Sequence, residues 1–327
     1  MPKLRQSYWQ QYDLLYKKSS KKQLFKRLLE QVKLLGDPIV KTDPRGRKPK
    51  FSPLEYVSFV CFEKIFGHKY REMELDSDLF LCDKADHSTF QRWYERIPQE
   101  YLERLTVSFV NREFSIWIAD STAMSSKINV ERLRAGTRNK TKLTDKYHII
   151  IGYDPPTSTT MILGVVASDN KLSDSQGAIK ILQEKNNEYG WFLGDSAYNT
   201  YELHELIEKI GLYAQMKPDK KGIKRKLSAK AKQTKFFCKP LYKQTRGVVE
   251  TVFGGSTNAG LILSYAKKKH TRRLDTLILA IRHNFFAAMR STTLIILRQT
   301  PLLENDLLSR NWFRFECFPC LFWCFVV

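Results

Sequence analysis

The 327-residue sequence lacks the features of a secreted or membrane protein. No uninterrupted apolar run approaches the ~20 residues that a spanning helix needs, because Arg282 and Arg290 break the best stretch. No signal peptide precedes the six cysteines, and a single CxxC pair without a nearby histidine argues against structural zinc. We therefore expect a cytoplasmic protein with reduced thiols and no membrane partner.

Acidic residues are also scarce. Aspartate and glutamate total 34 against 55 lysines and arginines, so the formal net charge is +21. A surplus of this size favours a polyanionic partner, most simply nucleic acid. The alternative is an ordinary basic protein from an organism with a basic proteome. The 43% hydrophobic content indicates a globular chain with a substantial core.

The first third of the chain has helical periodicity. Residues 1–45 predict a helical N-terminal arm, or alternatively part of a helical N-terminal domain. Residues 46–112 predict three short helices, the first opened by Ser52 and Pro53. The third carries the basic residue Arg92, so the trio is typical of a helix-turn-helix that contacts DNA, although an ordinary helical bundle has the same pattern.

From residue 113 the pattern changes to alternating strands and helices. The order is strand, hairpin, helix, strand, helix, strand and a last helix over residues 113–292. This order predicts an α/β fold, a ribonuclease-H-like mixed sheet flanked by helices and preceded by the helical N-terminal domain. Residues 293–327 are rich in apolar side chains but show neither helical nor strand periodicity. We therefore expect a C-terminal tail outside the evolved fold.

Three acids stand where such a fold would bring them together. Asp120 and Asp195 each follow a short apolar strand, and Glu250 follows Tyr242 and Arg246 at spacings of four, which predicts one shared helical side. The alternative is that both aspartates are turn residues and that Glu250 is a surface residue paired with Arg246. Asp169 and Asp174 are interpreted as loop or helix-cap residues.

Carboxylates in this number suit a pair of Mg²⁺ ions, which prefer hard oxygen ligands. Two such ions can activate water, align it and neutralise the charge that develops on a phosphodiester, and Mn²⁺ is able to substitute. In this interpretation Asp120 bridges both ions, Asp195 completes one site and Glu250 the other. Arg246 would orient Glu250 or hold a phosphate, and Tyr242 would contact the DNA backbone.

Basic segments flank these acids. Residues 217–246 hold twelve lysines and arginines against one acid, including Lys224, Arg225 and Lys226. A second patch after Asp120 includes Arg138 and Lys140. We interpret both as DNA contacts, with the first as an insertion in the catalytic domain. The alternative is a pair of solvated loops, the usual place of charge runs.

At these residues the chain resembles DDE transposases of prokaryotic insertion sequences, over roughly residues 46–290. Asp120-Ser121-Thr122 resembles the first catalytic motif, and Gly194-Asp195-Ser196-Ala197-Tyr198 resembles a G-D-x-x-Y second motif. Tyr242, Arg246 and Glu250 resemble the tyrosine-arginine-glutamate signature. The resemblance implies Mg²⁺-dependent cleavage and strand transfer, with terminal inverted repeats and target DNA as partners. It further implies a nucleoid-associated protein that works as a homodimer.

The N-terminal segment Asp86-His87-Ser88-Thr89-Phe90 resembles a stretch that precedes the catalytic domain in the same family. Two positions depart from its signature. Three residues, not two, separate Tyr242 from Arg246, and Thr257 stands where a lysine is usual. A DNA-binding repressor derived from an inactive transposase, or a nuclease that joins no ends, are the alternative functions.

Overall fold

The computed structural model of the chain describes residues 19–38, 48–124, 145–169, 171–218, 227–258, 266 and 268–299. Its helices are α1 (Lys21–Leu35), α2 (Pro53–Ile65), α3 (Tyr70–Leu81), α4 (His87–Arg96), α5 (Gln99–Ser108), α6 (Asp174–Leu182), α7 (Tyr201–Ile210), α8 (Ala229–Thr234), α9 (Lys239–Thr245), α10 (Val248–Asn258) and α11 (Lys269–Gln299). Its strands are β1 (Ile116–Met124), β2 (Asp145–Asp154), β3 (Thr159–Asp169), β4 (Gly190–Gly194) and β5 (Leu212–Met216).

Local capping residues set where the N-terminal helices begin. Ser20 and Ser52 accept hydrogen bonds from the backbone N–H groups of Gln23 and Glu55, whose side chains bond back to the caps. These are capping boxes, which satisfy two N–H groups that the first turn leaves free. Asp86 caps α4 in the simpler way, through the N–H of Ser88.

Helix α1 is part of the helical N-terminal region. Leu28 and Val32 are completely buried, and α1 packs against α2 and α5. The Phe25 ring meets Phe62 edge to face, with ring centroids 5.4 Å apart. Within the described residues, α1 therefore contributes to the same core as α2 and α5.

The described residues contain a five-stranded sheet in the order β3-β2-β1-β4-β5. β1, β2 and β3 pair antiparallel in sequence, whereas β4 is parallel to β1 and β5 is parallel to β4. This is the ribonuclease-H-like sheet that the element order predicts, so the fold class is confirmed. Helix α6 packs on β2 and β3, α7 on β5, and α10 on β1.

The long helix α11 joins the helical region to the sheet. The side chain of Asn284, completely buried, donates to the carbonyls of Thr106 in α5 and Ile162 in β3 and accepts from the N–H of Ile162. At its other end Asp275 accepts a hydrogen bond of 2.9 Å from the Tyr94 hydroxyl in α4. The helical region and the sheet therefore share one hydrophobic core.

Several boundaries differ from the sequence predictions. β1 does not end at Asp120 but continues to Met124, because β2 pairs with it along this whole length. α10 runs through Gly254 and Gly255, since Val249 and Val252 anchor the helix in the core and offset the cost of two helical glycines. α11 runs from Lys269 to Gln299 and so crosses residue 292, the predicted end of the strand-and-helix region.

The predicted tail lies mostly outside the described residues, which end at Gln299. In the described part of the chain, no helix is both long and apolar enough to cross a membrane.

Candidate active site

Asp120 and Asp195 are brought to the same level of the sheet by strand register. In the β1–β4 pair the register ends where Ile118 lies opposite Leu193, so Asp120 and Asp195 each come two residues after the paired stretch. β4 ends at Gly194, so Asp195 leaves the sheet while β1 continues past Asp120. Because neighbouring parallel strands lie ~4.8 Å apart, both acids lie at the same end of this pair of strands.

The Asp120 carboxylate is 19% exposed and already paired with a cation. Its Oδ1 lies 3.2 Å from an Arg246 guanidinium nitrogen and accepts a 2.8 Å hydrogen bond from the N–H of Ser121. Burial raises the pKa of Asp120, the Arg246 charge lowers it, and the Asp195 charge raises it, with a raised pKa as the result. The ionised form of Asp120 is therefore stabilised at this site only while a positive charge is close.

Asp195 opens a tight turn and remains partly exposed. Its Oδ1 accepts a 2.8 Å hydrogen bond from the N–H of Ala197 in the short 3₁₀ turn Ser196–Tyr198. One carboxylate oxygen therefore fixes the turn, and the other is free of hydrogen bonds within the described residues. The free oxygen of Asp195 is therefore held in a fixed direction, as the oxygen of a metal-binding carboxylate needs to be.

The prediction that Tyr242, Arg246 and Glu250 share one side of one helix is wrong. α9 ends at Thr245 and α10 begins at Val248, with a turn between them. The N–H of Arg246 still donates to the carbonyl of Tyr242 at 3.0 Å, so this pair keeps helical spacing. Glu250 belongs to the next helix, and the turn changes the direction in which it points.

Arg246 contacts Asp120, 126 positions earlier, and not Glu250 as predicted. Its side chain is 16% exposed, and its Nε atom is buried without a hydrogen-bond partner among the described residues. Tyr242 is near the same group: burial raises its pKa, the Arg246 charge lowers it, and the charges of Asp195 and Asp120 raise it. The structure thus gathers Asp120, Asp195, Arg246 and Tyr242.

Glu250 is not gathered with them. Its side chain is exposed and makes no hydrogen bond or ion pair in the described part of the chain, while the neighbouring Val249 is completely buried. Two groups of at least three acidic or histidine side chains have their ligand atoms within 4.8 Å in the described ranges, and neither includes Asp120 or Asp195. Both groups lie in the N-terminal helical region.

These two groups are Glu63 with His68 and Asp76, and Glu74 with Asp86 and His87. In the second, His87 Nδ1 lies 2.8 Å from Glu74 Oε2, which ties the start of α4 to α3. This contact gives His87 a structural role.

Sequence reasoning missed a polar network directly behind Asp120. The Ser121 hydroxyl donates to Asp174, which also pairs with Lys146 Nζ at 2.5 Å. Burial raises the pKa of Asp174, but the bonds from Lys146 and Ser121 outweigh it and lower the pKa overall. His148 completes the group: burial, then Lys146, lower its pKa to about 4. The adjacency of Ser121 to Asp120 was the available signal.

The predicted DNA contacts are only partly described. Arg92 is exposed on α4, while its neighbour Trp93 is buried and stacks on Tyr56 with ring centroids 4.7 Å apart. Five other predicted contacts lie outside the described residues: Arg138, Lys140, Lys224, Arg225 and Lys226. Arg92 is therefore accessible enough to contact a phosphate. The stacking of Trp93 on Tyr56 holds α4 in place.

The second half of the basic segment is folded against the sheet. The side chain of Gln215, at the end of β5, donates to the carbonyl of Phe236 and accepts from the N–H of Cys238. Lys230 is buried and donates to the carbonyl of Asn199 at 2.6 Å. These bonds fix α8 and α9, and through them the position of Arg246.

The sequence matches the family model described as "Transposase DDE domain" over residues 112–285, more than half of the chain. The chain belongs to this family. Membership makes it a transposase, an enzyme that cleaves and transfers DNA strands, has DNA as its partner and uses divalent metal ions. The matched region contains Asp120, Asp195 and Glu250, and the predicted resemblance to DDE transposases is confirmed.

No curated protein matches the chain. Among solved structures it is similar to the cryo-EM structure of a piggyBac transposase synaptic complex with hairpin DNA, at 8% sequence identity. The similarity covers 84% of this chain and 72% of that one, with a TM-score of 0.45.

Proposed function

We propose that this DDE transposase moves a prokaryotic insertion sequence by Mg²⁺-dependent chemistry at Asp120, Asp195 and Glu250. The observation that supports the proposal is that β1 and β4 are parallel neighbours, so that Asp120 and Asp195, from distant parts of the chain, each follow the paired stretch by two residues. Such alignment is what shared ligation requires, whereas turn residues with no common function have no reason to coincide.

The residues present fit a divalent cation. Asp120 and Asp195 offer hard carboxylate oxygens, and a guanidinium already neutralises Asp120 from 3.2 Å. When bound, two Mg²⁺ ions supply an activated water or 3′-hydroxyl and neutralise charge at the phosphorus, and Mn²⁺ would serve the same purpose. Asp120, Asp195 and Glu250 would hold these ions, with Glu250 reaching them through a change at the α9–α10 turn.

Arg246 changes partner in this proposal. In the structure Arg246 neutralises Asp120. Its Nε–H is a buried donor that has no hydrogen-bond partner among the described residues. With the carboxylate engaged elsewhere, the guanidinium is free to bind a DNA phosphate, for which its planar donors are suited. Tyr242, one helical turn before it, would lie beside the same phosphate.

DNA binding outside the active site is assigned to the basic residues. Arg92 on α4, together with Arg138, Lys140, Lys224, Arg225 and Lys226, is proposed to hold the terminal inverted repeats and the target. Because two element ends must be processed together, we propose that two copies of the chain form the working complex.

The test is a cleavage and joining assay on DNA that carries the ends of the element encoding this chain. Wild type is compared with Asp195→Asn in Mg²⁺, with Asp169→Asn as a matched control at the end of β3. We expect loss of both products in the first variant and wild-type products in the control. Equal activity in all three would contradict the assignment of Asp195, and end binding without any cleavage would favour a repressor.

A further inference from the structure

The corner between α2 and α3 brings a carboxylate and an imidazole together outside the active site. The N–H of His68 donates to the carbonyl of Glu63 at 3.0 Å. Gly67, with a left-handed φ of 85°, donates its N–H to the carbonyl of Lys64 at 3.0 Å. These two bonds form a Schellman motif, in which the side chains at the positions of Glu63 and His68 frequently make an apolar contact. Here the same backbone geometry holds two potential metal ligands side by side.

Asp76 of α3 completes this group. His68 Nδ1 lies 2.5 Å from Glu63 Oε2 and 3.7 Å from Asp76 Oδ2, and the three ligand atoms all lie within 4.8 Å of one another. In a tetrahedral zinc site each nitrogen or oxygen ligand lies about 2.0–2.1 Å from the metal, so two ligand atoms lie about 3.3 Å apart. The two measured distances lie on either side of this value. The His68 and Asp76 side chains are 27% and 29% exposed, so both are able to move by the small distance that an ion would require.

Glu63 carries an oxygen that the corner leaves unsatisfied. Its side chain is 1% exposed, and its Oε1 is buried without a hydrogen-bond partner among the described residues. Since Oε2 of the same carboxylate contacts His68 Nδ1, the unpaired oxygen belongs to this corner as well. A buried carboxylate with one oxygen unpaired is costly, because neither water nor a donor replaces the lost hydration. A cation bound by this carboxylate would remove that cost.

The charge around the corner selects a cation rather than DNA. The chain has a formal net charge of +21, yet α3 is acidic. Its twelve residues contain one basic side chain, Arg71, and four acidic ones: Glu72, Glu74, Asp76 and Asp78. Such a face repels phosphate and attracts positive charge. One imidazole with two carboxylates suits Zn²⁺ and its first-row neighbours, whereas Mg²⁺ prefers a site made of oxygens alone.

We propose that Glu63, His68 and Asp76 bind one divalent transition-metal cation of the Zn²⁺ class, with water as the remaining ligand. The ion takes the place of the proton that His68 and Glu63 share. It ties the end of α2 to α3 beside α11, because the Phe66 ring of the same corner packs on Phe286 with centroids 5.9 Å apart. This site is independent of the DNA chemistry proposed above.

The experiment compares full-length wild type, first treated with chelator, with His68→Gln and Asp76→Asn. Zn²⁺ binding is measured by calorimetry and Co²⁺ binding by visible absorption. Each variant should lose one equivalent of Zn²⁺ and the corresponding Co²⁺ absorption, and excess Mg²⁺ should not displace the ion from wild type. Zn²⁺ held elsewhere in the chain is common to all variants and cancels in the comparison.

His87→Gln is the matched control. His87 also contacts a glutamate of α3, Glu74, at 2.8 Å, but both side chains are about 40% exposed. This variant should keep the wild-type number of bound Zn²⁺ ions. In urea unfolding, Zn²⁺ at about 100 times its Kd should raise the ratio of folded to unfolded chain about 100-fold in wild type and His87→Gln, but not in His68→Gln.

Three outcomes would overturn the proposal. Equal Zn²⁺ binding in wild type, His68→Gln and Asp76→Asn would show that the corner holds only a hydrogen-bonded pair. An equal loss in His87→Gln would assign the ion to exposed histidines in general. Displacement by Mg²⁺ would contradict the assignment to a transition metal. If His68→Gln does not fold in chelator, as judged by circular dichroism, the comparison with Asp76→Asn decides, because Asp76 takes no part in the Schellman motif.

Discussion

Replacing Arg246 by glutamine should weaken the fold and strengthen metal binding at the same time. At 3.2 Å, and with an effective dielectric constant of about 20, the attraction between Arg246 and Asp120 is about 5 kcal/mol before desolvation. Both side chains are less than one-fifth exposed, so desolvation and residual screening cancel much of this. We expect a net loss of about 2 kcal/mol in the free energy of unfolding, or about 3 °C in Tm for a chain of 327 residues.

The same change removes the group that competes with a cation for Asp120. Since about 1.4 kcal/mol corresponds to a tenfold change in affinity, Mn²⁺ should bind Arg246→Gln roughly tenfold more tightly than wild type. DNA cleavage should nevertheless fall, because the guanidinium that would bind a phosphate is absent. Calorimetric titration with Mn²⁺ and urea unfolding in chelator measure the two equilibrium effects.

Arg112→Gln is the matched control. Arg112 pairs with Asp154 at the same distance, 3.2 Å, at the end of β2 that lies beside the start of β1. That variant should lose stability without any change in Mn²⁺ binding. If Arg246→Gln binds Mn²⁺ no more tightly than wild type, the guanidinium does not occupy the cation's place, and the reasoning about the site is refuted.

Three further changes test other parts of the structure. Gly247→Ala should stabilise the metal-free chain by about 0.5–1 kcal/mol, because the added methyl meets no atom within 4 Å. It should reduce cleavage if Glu250 depends on the α9–α10 turn. Undiminished cleavage would argue against that rearrangement. Burial lowers the pKa of His148 and of His283 to about 4, so each stays neutral in the fold but gains a proton on unfolding below its ordinary pKa of about 6.5. Their contribution to the free energy of unfolding is then full above pH 6.5 and should fall by about 2 kcal/mol per histidine between pH 7 and pH 5. In denaturation curves, His283→Gln should remove the part of this fall that His283 causes. A fall as large as that of the wild type would contradict the role given to His283. Asn284→Ala should cost roughly 2–5 kcal/mol by leaving buried backbone groups unpaired, and a loss below 1 kcal/mol in urea unfolding would show that water replaces the amide.

The sheet and its two aspartates were predictable because their signals are local. Apolar runs followed by Asp120 and Asp195 are short-range patterns, and burial of both faces explains the runs. The α9–α10 turn was not predictable, because a spacing of four between Tyr242, Arg246 and Glu250 is the same in one helix or in two. Arg246 follows the end of the first helix and finds its partner across the fold.

The network behind Asp120 was missed for a related reason. Ser121, Lys146 and Asp174 lie on β1, β2 and α6, and only the sheet register and the packing of α6 bring them together. An aspartate in the first turn of a helix, as Asp174 is in α6, has an adequate local explanation, which conceals its contacts with Ser121 and Lys146. Tyr198 belongs to the second motif, but the burial of its ring against Gly194 is visible only in three dimensions.

The continuous helix α11 has a consequence for how DNA is measured. It is bonded to α4 through Asp275 and Tyr94 and to the sheet through Asn284, so no flexible tether separates Arg92 from Asp120. A base pair gripped at α4 and the bond placed at Asp120 would then stand a fixed number of steps apart. One inserted base pair shifts that bond by ~3.4 Å and about 34° around the duplex. The protein would then not cleave DNA in which this spacing is altered.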